Sequence, residues 1–464
     1  MRAVFWDRRL VGICLAVLLA SALWVAPLPG DLSLAGRQTL MVTLFAVIWW
    51  IFGVMPPAYT TLLMLMSYIM LGLASPEVVF HIWTLPLIWL IIAAFLIAAA
   101  VTKSGLAQRV AYFFMIRYAT SYRSTIVLTY VLGLVLSLLI PHPFPRALLT
   151  MAVVSAIIQK ARLNRADAAS LGLSVFVATT ATSTILLTGD STLNIATVGF
   201  SGEGLGWLGW LKYMAVPGLV ASLLMLGLHL LIFRQTGPVH IERAALLAEQ
   251  QKMGPVTRRE RVTLVWVLVA LALWTTDFIH HIDPAWVAIG VVVGLALPWA
   301  GEVLDAGDIS SGVNWPIIIF VVGALAIGTV GTATGMSDWL AATFLPAEPP
   351  ENPYTFAALV GGATMLIHMV LGSALASMSI VAPPMVHYAA TLGWSPLVPA
   401  LLVYTAVAVH YILPFQQVTI LLGQGETGGY GAREVMRYGL PLTIVVLFVM
   451  IVVEITWWQI IGLI

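Results

Sequence analysis

The chain has 464 residues, of which 61% are apolar and only 9% charged, with a formal net charge of +1 and a mean hydropathy of +1.00. A soluble protein of this length needs far more charge to cover its surface, so a water-soluble globular fold is excluded. The near-neutral balance points to no nucleic-acid partner, and the single cysteine, Cys14, excludes an internal disulfide and any cysteine-based metal cluster.

Runs such as 85–101, 208–233 and 440–458 are long enough to cross a hydrocarbon core about 30 Å thick. The expected fold is therefore an all-α polytopic membrane protein, and the lipid bilayer is its first partner. Arg8-Arg9 precede an apolar run that continues to Ala26, longer than a usual leader core, which predicts a retained first helix. Further helices are predicted at 36–54, 57–74 and 84–102. A re-entrant hairpin follows at 124–158, then a broken helix at 168–199 and a long helix at 207–233. The segment 234–262 is polar, mixed in charge and contains Gly254-Pro255, and it reads as a linker. Beyond it come helices at 262–279, 284–299 and 313–334, a second hairpin at 354–391, a broken helix at 396–430 and a last helix at 436–463.

This gives about 11 transmembrane helices plus two re-entrant hairpins, in two inverted repeats, 1–233 and 263–464. With the N-terminus in the cytoplasm, 18 of the 21 Lys and Arg residues fall on the cytoplasmic side; Arg37 and Lys212 fall outside and Arg146 lies within a hairpin. The expected location is a bacterial inner membrane.

The halves share a plan. Pro86 enters an apolar run ending at Gly105, and Pro316 enters one ending at Gly335. Thr184-Ile185-Leu186-Leu187 recurs as Thr419-Ile420-Leu421-Leu422. Lys212-Tyr213 with Pro217 recurs as Arg437-Tyr438 with Pro441. Duplicated halves with matching interruptions point to a substrate site at the repeat interface.

Irregular backbone at membrane depth survives only where it is buried in protein or lines a wet cavity. Four such places stand out. Pro141-His142-Pro143-Phe144-Pro145-Arg146 cannot continue a helix and reads as a hairpin tip. The returning arm is expected to start at Arg146 or Ala147 and to present free N–H groups. The stretch 179–194 carries Thr184, Thr188, Gly189, Asp190 and Asn194, a row of hydroxyls around one carboxylate. A carboxylate at this depth is a functional candidate. Gly372, Ser373 and Ser377 mark the second tip, and the stretch 410–426 carries Gln416, Gln417, Thr419 and Gly423. His280-His281-Asp283 lacks further ligands, so no metal site is expected. No phosphate loop or nucleophile motif is present, so no enzyme is expected.

On these residues the chain resembles the divalent anion:sodium symporter family of dicarboxylate, citrate and sulfate carriers. The likeness covers nearly the whole chain and is best over 88–107, reading IWLIIAAFLIAAAVTKSGLA. It implies a homodimer in which a scaffold domain stays still while a hairpin domain carries a small anion and sodium in an elevator movement. The family's hairpin tips carry Ser-Asn-Thr motifs. Here the second tip has Ser373-Ala374-Leu375, with Pro383 ten residues after Ser373 as in the family, and the first has His142-Pro143-Phe144. Loss of amide and hydroxyl oxygens at both tips weakens the case for Na⁺ and leaves Arg146 and His142 in their place. The expected substrate-binding set is His142, Arg146, Thr184, Thr188, Asp190, Asn194, Ser373, Ser377, Gln416, Gln417 and Thr419. The coupling-ion set is Gly189, Asp190, Gly372 and Gly423, with Na⁺ or H⁺ as the ion and no other cofactor. Arg146 is expected to replace some or all bound sodium and pair with the anion, with the carrier running as an exchanger or coupled to protons through His142 or Asp190. The other readings are a cation or proton antiporter built on Asp190 and a non-transporting membrane scaffold with the same fold.

Overall fold

Among the described residues, seven helices are long and apolar enough to cross a membrane by length and composition, and four more apolar helices are shorter. They were traced in a computed structural model that describes all residues except 1, 29, 31, 238, 240 and 301. Each of the expected crossings falls on a helix or on a pair of half-helices. The first hairpin is Tyr122–Ser137 with Pro143–Lys160, and the second is Pro353–Leu371 with Ala374–Ala390. The broken helices are Arg165–Thr182 with Leu193–Ser201, and Leu397–Ala408 with Val418–Leu422.

The Pro-to-Gly spacing has a backbone cause. Pro86 opens the helix Pro86–Ser104, and Gly105 follows at φ 82°. Trp315–Ala333, with Pro316 at its second position, is followed by Gly335 at φ 79°. Proline is preset for the first helical turn, and a left-handed residue ends the helix at a cost of about 1 kcal/mol or more for anything but glycine. Each glycine turns the chain into a short helix that the sequence reading lacked, Leu106–Tyr118 and Met336–Phe344.

The shared basic-Tyr pairs also match in structure. Lys212 is the sixth residue of Trp207–Ile232, and Arg437 is the sixth of Ala432–Phe448. These helices run antiparallel: Arg437 donates to Ile232 O at 3.1 Å, while Trp457 Nε1 donates to Lys212 O at 2.9 Å. Tyr438 OH donates to Met225 O between them, at 2.9 Å.

The Thr-Ile-Leu-Leu repeat does not match in this way. Thr184–Leu187 lies in and beside the unwound part of the first broken helix, whereas Thr419–Leu422 lies within the helical turn Val418–Leu422. The identity of these tetrapeptides reflects composition rather than equivalent positions.

The linker is shorter and more ordered than 234–262. It contains the helix Arg243–Lys252, and the next helix already starts at Arg258. The reason is a capping box: Thr257 Oγ1 accepts from Glu260 N–H, and Thr257 N–H donates to Glu260 Oε2. Arg109 meets the same carboxylate with two N–H groups, at 2.6 and 3.2 Å, and also donates to Gly254 O and Pro255 O. Burial pushes the Glu260 pKa up, but the bonds from Arg109 and Thr257 outweigh it and hold it below the usual carboxylate value. Lys103 adds a second tie between the halves, to Asp305 at 2.6 Å and Asp308 at 2.9 Å.

Candidate functional site

The two hairpin tips and the two unwound stretches meet at one cavity of about 150 Å³. From the first half it is lined by His142, Phe144, Asp190 and Thr192, and from the second by Ser373, Leu375, Gln416, Gln417 and Thr419. Ile317 and Phe320, from the helix Trp315–Ala333, close one wall. The volume is below the ~300 Å³ at which drug-sized ligand pockets begin, so the cavity is scaled to a small solute. A larger cleft bounded by Leu40, Val47, Ile327 and Pro383 is almost wholly apolar and lies away from the hairpin tips.

Prolines shape the first tip. The return helix begins at Pro143 rather than at Arg146 or Ala147, because proline at the first helical position has its φ preset and no N–H to leave unpaired. His142 caps it, its Nδ1 accepting from Phe144 N–H at 3.4 Å. Pro143 and Pro145 have no N–H, so the row of free donors expected at this tip is largely missing. The second tip is richer. Ser373 Oγ accepts from Ala376 N–H at 3.4 Å, while Ala374 and Leu375 occupy the first two helical positions, whose N–H groups have no intrahelical acceptor. Both residues line the cavity.

Arg146 is fully buried and does not line the cavity. Its Nη1 donates to Ile140 O at 2.9 Å and to Gly189 O at 2.6 Å, and its Nη2 donates to Thr179 O at 3.4 Å. The guanidinium thus joins the hairpin tip to both sides of the unwound stretch. Ser191 N–H adds a bond to Pro141 O at 3.0 Å. The Nη groups of Arg146 brace backbone carbonyls, while its Nε is buried without a partner.

Asp190 lines the cavity, and its Oδ1 accepts from Thr192 N–H at 3.0 Å and Leu193 N–H at 3.2 Å. The carboxylate therefore caps the half-helix Leu193–Ser201, where a negative charge is stabilised by the unpaired N–H groups. Asn194 lies behind this point. Its Nδ2 donates to Ser183 O, Leu186 O and Leu187 O at 2.9, 2.8 and 3.2 Å. It organises the unwound stretch and does not line the cavity. Thr184 and Thr188 face away, toward Trp207–Ile232. Trp210 Nε1 donates to Thr184 O at 3.0 Å, and Trp207 Nε1 to Thr188 Oγ1 at 3.3 Å.

In the second half, Gln416 Oε1 accepts from Ile412 N–H and Leu413 N–H at 2.7 and 2.6 Å. Its Nε2 is buried without a partner. Gln417 Nε2 donates to Ala408 O at 2.8 Å. Ser377 sits behind the tip, donating to Ser373 O at 2.9 Å and bonded to His368 Nδ1 at 3.2 Å. Gly189, Gly372 and Gly423 stand outside the lining. A Cβ on each would meet Ser183 O, the Phe415 ring and the Tyr430 hydroxyl respectively, so close packing accounts for all three.

The sequence reading missed His368, although an ionisable residue within the apolar run MLIHMVL is itself a signal. It also missed the aromatic wall of Phe144 and Phe320, for which the sequence carries no signal beyond general hydrophobicity.

Paired hairpin tips and unwound helices around one central cavity define a membrane transporter built from two halves rather than an enzyme. Residues 7–464 match the family described as the sodium:sulfate symporter transmembrane region, and the chain belongs to that family. A membrane protein of Cupriavidus necator is 25% identical, the match covering 97% of this chain and 93% of that one. The chloroplastic dicarboxylate transporter 1 of Spinacia oleracea is also 25% identical, over 97% of this chain and 81% of its own length. Among solved structures, the YdaH transporter of Alcanivorax borkumensis shares the fold with a TM-score of 0.53 at 16% identity, covering 99% of this chain and 98% of that one.

Proposed function

We propose that the chain is a secondary active transporter of small anions of the di- or tricarboxylate or sulfate class, and that the cavity between the hairpin tips is its binding site. The observation that carries this reading is the convergence of Ser373, Ala374, Leu375 and Gln416 on one small cavity. The Ala374 and Leu375 N–H groups and the unpartnered Gln416 Nε2 are donors without an internal acceptor, and a carboxylate or sulfate oxygen supplies one. The dicarboxylate name of the Spinacia relative favours the carboxylate class.

Asp190 in the same cavity requires a cation to travel with the anion. Two like charges about 5 Å apart at an effective dielectric constant of ~20 repel by about 3 kcal/mol, which a proton or Na⁺ removes. The carbonyls of Ile140, Gly189, Thr179, Ser183, Leu186 and Leu187 already receive N–H donors from Arg146 and Asn194, which leaves fewer oxygens for Na⁺ in the first half and favours H⁺. The hairpins and broken helices form the moving domain of an elevator, the remaining helices form a scaffold, and two copies pair through that scaffold. The N-terminus lies in the cytoplasm of a bacterial cell.

Counterflow of labelled dicarboxylate in proteoliposomes tests the site. Gln416→Glu keeps both acceptor bonds to Ile412 and Leu413 but replaces the free donor with a negative oxygen. The expected result is a loss of anion affinity of about tenfold or more. Wild-type affinity in this variant would remove Gln416 from the site.

A further inference from the structure

We propose that Glu454 is a proton-binding site of the transport cycle, separate from the cavity. This deepens the transporter reading and rests on it.

Glu454 is fully buried near the end of the last apolar helix, within a π-helical turn at Val449–Glu454. Such turns widen the helix by one residue and occur often at functional positions. Its Oε1 accepts from Thr405 Oγ1 at 2.6 Å, and its Oε2 has no partner. Thr405 stands on Leu397–Ala408, the first half of the second broken helix. No Lys, Arg or His lies within 4 Å of the carboxyl among the described residues. A carboxylate with one hydrogen bond and no counter-charge is not sustained at this depth, so the group carries a proton in this conformation.

The titratable groups on the surrounding helices are engaged elsewhere, with one exception. Tyr438 donates to Met225 O, His229 bonds Ser170, and His368 bonds Ser377. Lys212 lies over the Tyr213 ring, Tyr354 bonds Gln459 at the exposed end, and Arg437 donates to Ile232 O. Glu434 caps its own helix by accepting from Gly431 N–H. Arg433 is exposed in the first turn of that helix, two turns or more from its π-helical end. The exception is Tyr404, beside Thr405. Its hydroxyl is buried without a partner, and it lies within electrostatic range of both Glu454 and the cavity residue Asp190. Leu397–Ala408, which carries Tyr404 and Thr405, leads from the buried acid to the second unwound stretch.

The test compares wild type, Glu454→Gln and Thr405→Val in proteoliposomes, reading labelled-anion counterflow and proton flux together. Glu454→Gln keeps the acceptor for Thr405 and removes only the titration. The expected result is a reduced anion-driven proton flux with counterflow persisting, and a shifted pH profile in Thr405→Val. Infrared difference spectra of wild type are expected to show a protonated carboxyl band that changes on anion addition and is diminished in Glu454→Gln. That second readout stands if the variant inserts poorly into vesicles. Wild-type proton flux in Glu454→Gln, or an unchanged carboxyl band, overturns the proposal. Absence of any anion counterflow in wild type would instead overturn the transporter reading on which it rests.

Discussion

Arg146→Ala is expected to destabilise the protein severely and to abolish transport. The guanidinium is fully buried and donates to the carbonyls of Ile140, Gly189 and Thr179. Leaving a buried acceptor unpaired costs about 1–3 kcal/mol each, and the vacated volume adds a cavity term, so the total is about 3 kcal/mol or more. Arg146→Lys is expected to recover only part of this, because an ammonium on a flexible stem cannot span carbonyls on both sides of the unwound stretch as a planar fork does. Thermal unfolding in detergent, set beside counterflow in proteoliposomes, checks both variants. A variant of wild-type stability with only a raised KM would contradict the bracing role and return Arg146 to direct contact with the anion.

Asp190→Asn is the second large effect, of opposite sign. The amide oxygen still accepts from the Thr192 and Leu193 N–H groups, so the half-helix Leu193–Ser201 keeps its cap. The negative charge in the cavity disappears. Removing about 3 kcal/mol of repulsion strengthens binding of an anion on the order of 100-fold. Calorimetric titration of a dicarboxylate checks the sign. Weaker binding in the variant would mean that Asp190 contacts the substrate through a bound cation that the variant has lost.

On the proposed reading, the anion site is made from residues that are not themselves cationic. Arg146 lies behind the cavity, where its Nη groups bond the backbone. The donors proposed to face the anion are main-chain N–H groups and an amide. This arrangement keeps a bulky charged side chain out of a cavity of about 150 Å³.

Much of the fold was legible because its determinants are local. Hydrophobic length marks the spans, three prolines within five residues mark the first tip, and Pro86 and Gly105 mark a helix start and stop by their own backbone preferences. Lys212 and Arg437 each fall at the sixth position of a helix, and the two helices pack antiparallel. The site was legible as a set of segments but not as a set of side chains. Asp190, His142, Ser373, Gln416, Gln417 and Thr419 do share one cavity. Thr184, Thr188, Asn194 and Ser377 lie in the same segments yet face other helices or their own backbone. An unwound stretch has no helical period, so nothing in its sequence says which residue turns inward. Arg146 shows the same limit: its depth was readable from its neighbours, whereas its partners are carbonyls that no sequence identifies. Glu454 and Thr405 are 49 residues apart, and only the packing of the last helix against the broken one brings them together.

The most direct measurement exploits the lone cysteine. On a Cys14→Ala background, Ser373→Cys places a thiol at the second tip, and its rate of labelling is followed with and without dicarboxylate. The account predicts that dicarboxylate slows labelling in step with its occupancy of the transporter. Unchanged labelling in a variant that still carries out counterflow would contradict it, because the anion would then bind somewhere other than between the hairpin tips.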